Sequence, residues 1–220
     1  MSGITASLMM IAGSRTPAIV GTTSTFTDSS NVSGTRTLSH TTTSATKCLV
    51  VVVSFRSGNT VGTMSCTYNG VSMTMGPDVN TATGSPNGRS TIYYLINPPV
   101  GTYNVVSTTT SNQCVNIVAI NTTATSAGPF NSATNTTVSI SASVTTTQAC
   151  LIIAGSEICD NTAPTSLTGT TIEAIDTTGG TASIGFGVSY VSSDVGLSQT
   201  MTHTYGTKTF KKTIAVMAFY

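Results

Sequence analysis

The chain has 220 residues, a formal net charge of +1 and only 7% charged residues, against roughly 25% in an average globular protein. That length suits one large β domain or two small ones and buries on the order of 70% of the unfolded surface, so neither a metal nor a disulfide is needed to build a core. The near-neutral balance leaves no electrostatic footprint for nucleic acid, and no apolar run approaches the roughly 18 residues of a membrane-spanning helix.

Ser, Thr, Asn and Gly supply the polarity instead. Thr is β-branched, while Gly, Asn and Ser tolerate turn geometry, so these residues fit strands with one wet face and the turns between them. Glu, Lys, Arg and Gln, the usual residues of an exposed helix face, are scarce, which argues against long helices.

In chain order, residues 1–45 alternate short apolar patches with a Ser/Thr/Gly/Asn stretch. Such a segment cannot build its own core, so it is either an arm that packs on something else or a few edge strands joined by loops. Leu8, Met9, Met10 and Ile11 form its most apolar patch and are candidates for partner contact, with an ordinary first strand as the alternative. No basic region precedes them, a poor fit to a secretory signal, and cytosolic synthesis is the default expectation.

Strand signals become regular over residues 46–220, the expected β-sandwich domain. The run CLVVVVSF at 48–55 ends in Ser57, Gly58 and Asn59, and its length and β-branched content predict a strand buried on both faces. Strands at 61–67 and 71–75 flank Asn69-Gly70, the dipeptide that suits a type I′ hairpin turn. A polar loop is expected over 76–88, then a strand at 91–96 stopped by Pro98 and Pro99, which cannot donate to a ladder. Further strands are expected at 103–109, 115–120, 138–144, 149–155, 171–175, 182–191, 199–205 and 212–219. About a dozen strands at this spacing predict an all-β fold, an antiparallel β-sandwich. TKCLVVVVS at 46–54 also lines up with QACLIIAGS at 148–156, which raises a pseudo-repeat of 46–120 and 148–220; two unrelated sets of sandwich strands would look alike in the same way. A true repeat would give a jelly roll of interleaved halves or two stacked sandwiches.

Chemistry is sparse. Five cysteines form no CxxC pair and are odd in number; Cys48 and Cys150 each open an apolar run, which favours core thiols, with a disulfide between two others as the alternative. His40 and His203 have no second ligand at metal spacing, so no metal site is expected. His203 with Asp194 or Asp176 is the one Ser-protease-like combination on offer, and no GxSxG elbow supports it. The seven carboxylates are dispersed and the chain has no Trp, which weakens a carbohydrase. Asp160 reads as a turn cap. Tyr93 and Tyr94 must face opposite sides of a strand, one core and one surface. Lys208, Lys211 and Lys212 read as a solvated hairpin edge. No catalytic residue and no cofactor site are expected.

Two stretches carry a family resemblance: CTYNGVSMT at 66–74 and IYYLINPPVGTYNVV at 92–106. They resemble a β-sandwich module recurrent in tailed-bacteriophage virion proteins, in which an LLVVVVS-like strand precedes a V-T-Y-N-G-V turn and a later Y-L-x-N-P-P-x-G-T-Y segment. The resemblance spans residues 47–120, about a third of the chain, and its motifs are turns and strands. It implies a jelly-roll-like sandwich with a structural, non-enzymatic role: a capsid decoration or cement protein that binds the major capsid protein and stabilises the outer surface of a phage head. A homotrimer on the virion surface, made in the host cytoplasm, is the implied form. Head fibres and tail-associated proteins carry the same module, so a receptor- or glycan-binding role stands beside it.

Overall fold

Strand propensity is realised throughout the described residues. The computed structural model describes residues 15–57, 62–81, 86–177 and 184–220, and among them are fifteen strands and no helix. The first half holds β1 (Ser24–Thr42), β2 (Cys48–Ser57), β3 (Met64–Tyr68), β4 (Val71–Ser72), β5 (Thr74–Asn80), β6 (Asn87–Ile96) and β7 (Gly101–Thr122). The second half holds β8 (Ala127–Asn135), β9 (Ser139–Thr145), β10 (Gln148–Ile158), β11 (Ser166–Leu167), β12 (Thr170–Thr177), β13 (Ile184–Val195), β14 (Ser198–Thr204) and β15 (Lys212–Phe219).

β1 and β7 pair antiparallel along their whole length, from Ser24↔Ala119 to Thr42↔Gly101, with register shifts between Asp28 and Gly34. Such irregularities bend a ladder. The other edge of β7 carries β2 over 113–122 and β3 over 105–109. The long pair therefore passes through both sheets of one sandwich, an inner sheet ordered β5-β6-β2-β7-β1 and an outer one ordered β4-β3-β7-β1. The second half has the same pairing order with its long strands interrupted: β12-β13-β10-β15-β8 inside and β11-β14-β9 outside. β8 and β9 stand where β1 stands, and β14 and β15 where β7 stands.

The two inner sheets pack on each other. β2 lies against β10, β6 against β15 and β5 against β8, so the halves are related as by a twofold axis running along the strands. The result is four layers with three apolar cores. Leu49, Val51, Val53 and Phe55 of β2 face the core of the first half with Tyr68, Val105 and Ile117. Cys48, Val50 and Val52, on the opposite face, meet Leu151, Ile153, Met217 and Phe219 across the seam. Cys150, Ile152 and Ala154 face the core of the second half with Ile140, Met201 and Val216. Every apolar residue from Cys48 to Phe55 is at most 1% exposed, as a strand buried on both faces requires.

Gly155 permits a close approach of the layers, because a Cβ there would lie 2.2 Å from Val52 Cγ1. Separating the halves would expose Val50, Val52, Ile92, Val118 and Ile120 on one side alone. At roughly 1.5–3 kcal/mol per large aliphatic side chain this is on the order of 10 kcal/mol, comparable with the net stability of a whole domain.

Several elements differ from expectation. Residues 103–109 and 115–120 belong to one strand, because β1 pairs with both and carries the ladder across the bend. The expected loop at 76–88 contains most of β5, an edge strand that tolerates Pro77 because only its other side pairs, with β6. β8, with Gly128 and Pro129, is likewise an edge strand that alternation does not reveal. The Asn69-Gly70 turn has φ of 50° and 75°, the doubly positive geometry of a type I′ turn. Tyr93 faces the first core at 2% exposure, and Tyr94 packs against the seam; the sheet bearing them is covered on both sides.

The seam makes a specific prediction. Gly155→Ala should cost about 1–3 kcal/mol in urea unfolding through overpacking, and Val52→Ala in the same chain should recover part of it, a coupling of about 0.5–3 kcal/mol. Additive costs would mean the two residues do not meet as described.

Candidate functional site

Chemically capable side chains converge on the interior. His203 on β14 is fully buried between two hydroxyls, with Nδ1 2.5 Å from Ser156 Oγ and Nε2 2.9 Å from Ser189 Oγ. Ser156 Oγ also lies 2.6 Å from the Tyr205 hydroxyl. Burial pushes the imidazole down to about 3, so it stays neutral. A Ser–His contact of this length is what nucleophilic catalysis uses, yet Ser156, Ser189, His203 and Tyr205 are all 0% exposed. Neither ring nitrogen is paired with Asp194, whose carboxylate accepts the Thr16 hydroxyl. His40 repeats the pattern in the first half, bonded to Ser24 Oγ at 2.9 Å and Asn121 Oδ1 at 3.0 Å, and burial lowers its pKa.

A second cluster stitches the seam at the end away from the interdomain linker 123–126. Ser54 Oγ lies 3.3 Å from Ser90 Oγ, Ser90 Oγ 2.8 Å from Thr213 Oγ1, and Thr213 donates to Glu157 Oε1 at 3.3 Å. The Glu157 carboxyl from β10 occupies the space a side chain at Gly88 of β6 would fill, since a Cβ there would lie 1.4 Å from Oε1. Cys159 Sγ approaches Oε2 at 3.8 Å. Complete burial drives the Glu157 pKa well above the ordinary carboxylate range, with Thr213, Cys159, Arg56 and Lys212 opposing the shift only in part. Glu173 on β12 makes a similar crossing, accepting from Asn116 Nδ2 of β7 at 3.0 Å, and burial raises it to about 6.

The cations are absorbed in the same way. Lys212, expected in a solvated edge, is 0% exposed: its ammonium donates to the carbonyls of Thr137 (2.6 Å), Lys208 (2.9 Å) and Phe210 (2.9 Å) above the Tyr205 ring. Three backbone carbonyls at the end of β15 replace water, an arrangement that residue type alone does not signal. Arg89 grips Asp78 through Nε at 2.5 Å and reaches the Gly62 carbonyl at 2.6 Å. Asp160 caps its own turn, accepting from Thr162 and pairing with Lys208 at 3.0 Å. All five cysteines are free and buried, and burial pushes Cys48 and Cys66 up to about 12. Among the described residues no group of His, Cys, Asp and Glu has the arrangement of a metal site.

The exterior is made of hydroxyls. On the outer face of β9 and β14, Ser139–Thr204, Ser141–Thr202 and Ser143–Thr200 pair at 2.8 Å and Thr145–Ser198 at 3.2 Å. Thr41–Thr102 at 2.8 Å and Thr35–Thr108 at 3.3 Å do the same on β1 and β7. Concavities interrupt this surface. One, of about 390 Å³, is lined by Asn69, Gly70, Thr102, Tyr103, Asn104 and Val106. Another, of about 430 Å³, lies at the linker end, where Arg15, Thr16, Lys47, Thr123 and Thr125 meet. Leu8, Met9, Met10 and Ile11 lie outside the described residues. The described chain begins beside them, with Ala18 and Val20 bonded to the end of β7.

Fold and interior together define a class: an all-β sandwich protein whose reactive groups are consumed in its own packing. No protein-family model, curated protein or solved structure matches the chain.

The buried carboxyls make stability depend on pH. Both folded-state pKa values are raised above the ordinary glutamate value of 4.5. Their protonated forms therefore support the fold fully below that value, and stability falls as pH rises past it, through about 6 for Glu173 and up to the raised pKa of Glu157. Glu157→Gln should raise the midpoint of thermal unfolding at neutral pH and make the decline with pH shallower. An E157Q variant with the same pH slope as the parent would contradict a protonated carboxyl in the seam.

Proposed function

We propose that this chain is a structural virion protein, a decoration or cement protein that binds the major capsid protein and stabilises the outer surface of a phage head. The observation that carries the reading is the inside-out distribution of chemistry. The groups able to react are sealed in the cores, and the surface is a hydroxyl lattice with few charges on a four-layered body. Such a surface changes little with salt or pH, because few of its groups titrate or are screened. The resemblance of residues 47–120 to a virion sandwich module points the same way. So does the strand order: within each half the first and last strands lie side by side in both sheets, which we read as a jelly roll. A homotrimer, with Leu8, Met9, Met10 and Ile11 reaching the shell or a neighbouring subunit, completes the proposal.

The rival is a tail- or fibre-associated module that binds a receptor or glycan. The neutral groove at Asn69, Thr102, Tyr103 and Asn104 favours it, since amides, a hydroxyl and a half-buried aromatic ring suit an uncharged sugar. Copy number separates the two: hundreds per particle for a shell protein, a few for a tail or fibre.

Residues 18–20 are held against the end of β7 and Thr16 against Asp194, so the informative truncation stops before them. Deleting residues 1–14 should abolish binding to heads that lack the protein and leave the β-rich circular dichroism spectrum unchanged. Full binding by the truncated chain would remove the N-terminal segment from the attachment.

A further inference from the structure

The linker end carries features that folding does not require. Val100 sits in the turn between β6 and β7, and Val195 at the end of β13 before β14, equivalent places in the two halves. They are 61% and 67% exposed, and each is followed by a glycine. Turns are served by Gly, Pro, Asn and Asp, whose backbones or side chains suit them. A valine there contributes nothing to the turn and loses the burial it would gain in a core. Its occurrence at both equivalent positions is the informative point.

Both turns lie at the end where the described chain begins. Lys47 and Asn97 bond to each other there through their backbones, Lys47 also bonds to Thr122, and Thr16 bonds to Asp194, the residue before Val195. Arg15 and Lys47 line the 430 Å³ pocket with Ala18, Ala45, Thr123 and Thr125, and none of its lining residues is a carboxylate. From Arg15 the chain leads into Leu8, Met9, Met10 and Ile11, within the span that 14 residues can cover, at most about 50 Å. Lys47 keeps an exposed ammonium, which donates to the Ser44 carbonyl at 2.9 Å, whereas at the other end Lys208 pairs with a carboxylate, that of Asp160, and Lys212 is buried on three carbonyls.

We propose that the linker end is the docking surface, and that its partner is an acidic protein surface that places a carboxylate on Arg15 and Lys47 and apolar sockets over Val100 and Val195. This rests on the reading of the chain as a virion protein and adds its orientation: the molecule stands end-on, with the β14–β15 loop pointing away from the shell. Two valines related by the molecular twofold give two anchor points, which fix rotation as well as position. The basic pocket beside the linker makes association sensitive to salt.

The test is co-sedimentation with phage heads that lack the protein. V100D/V195D and R15E/K47E should each weaken binding by about 10-fold or more, as loss of anchor residues does, with unchanged thermal unfolding. Binding of the parent should fall with added salt, and F210D/K211E at the opposite end should bind as the parent does. Parent-like binding by both linker-end variants, or loss of binding by F210D/K211E in their place, would overturn the orientation. A parent protein that binds no shell at all would overturn the virion reading and the docking surface with it.

Discussion

The packing of β2 against β10 governs the rest of the molecule. Each strand is the centre of an inner sheet, and each has one face in its own sandwich and one in the seam. The seam contributes as large an apolar cluster as either sandwich, so the central strands of both inner sheets are buried on both faces. Gly155 against Val52 sets how closely the layers approach, and Glu157 over Gly88 fixes their far end. With the central strands sealed, the outer sheets, the edge strands β5, β8 and β12 and the strand ends meet water.

That arrangement explains the composition. An interior that uses both faces of its central strands needs continuous apolar runs, hence CLVVVV and CLII. The outer sheets need one polar face, and Ser and Thr supply it through cross-strand hydroxyl pairs instead of ion pairs. Three of the charged residues serve as internal ties: Arg36 lies 2.5 Å from Asp28 beside the bend of β1, Arg89 clamps β5 to β6, and Lys212 closes the β14–β15 loop. A protein built this way offers a partner its turns and its ends.

The all-β class, the doubly buried strand at 48–55, the type I′ turn at Asn69-Gly70 and the buried thiols were legible because each depends on local residue type. Long-range facts were not. The continuity of β7 depends on its partner β1, a hundred residues away in places, and β5 and β8 hide behind prolines that only an edge tolerates. The match between 46–54 and 148–156 is instructive. It aligns Cys48 with Cys150, yet Cys48 points into the seam and Cys150 into its own sandwich. With a side-chain period of two, a one-residue offset exchanges faces, so the strings agree in composition while the folds correspond in a different register. Glu157 and Lys212 gave no signal, because a buried charge is recognised by the atoms around it. The pairing of Val100 with Val195 was not legible, because it exists only once the two halves are seen as equivalents.

The shared seam is tested most directly by native-state hydrogen exchange. Amides of Val51 and Val53 in β2 and of Ile152 and Ala154 in β10 should open with one free energy, equal to that of global unfolding, and respond identically to denaturant. Exchange of one strand at a distinctly lower free energy than the other would show a half that opens alone, and would contradict a single body held together through its centre.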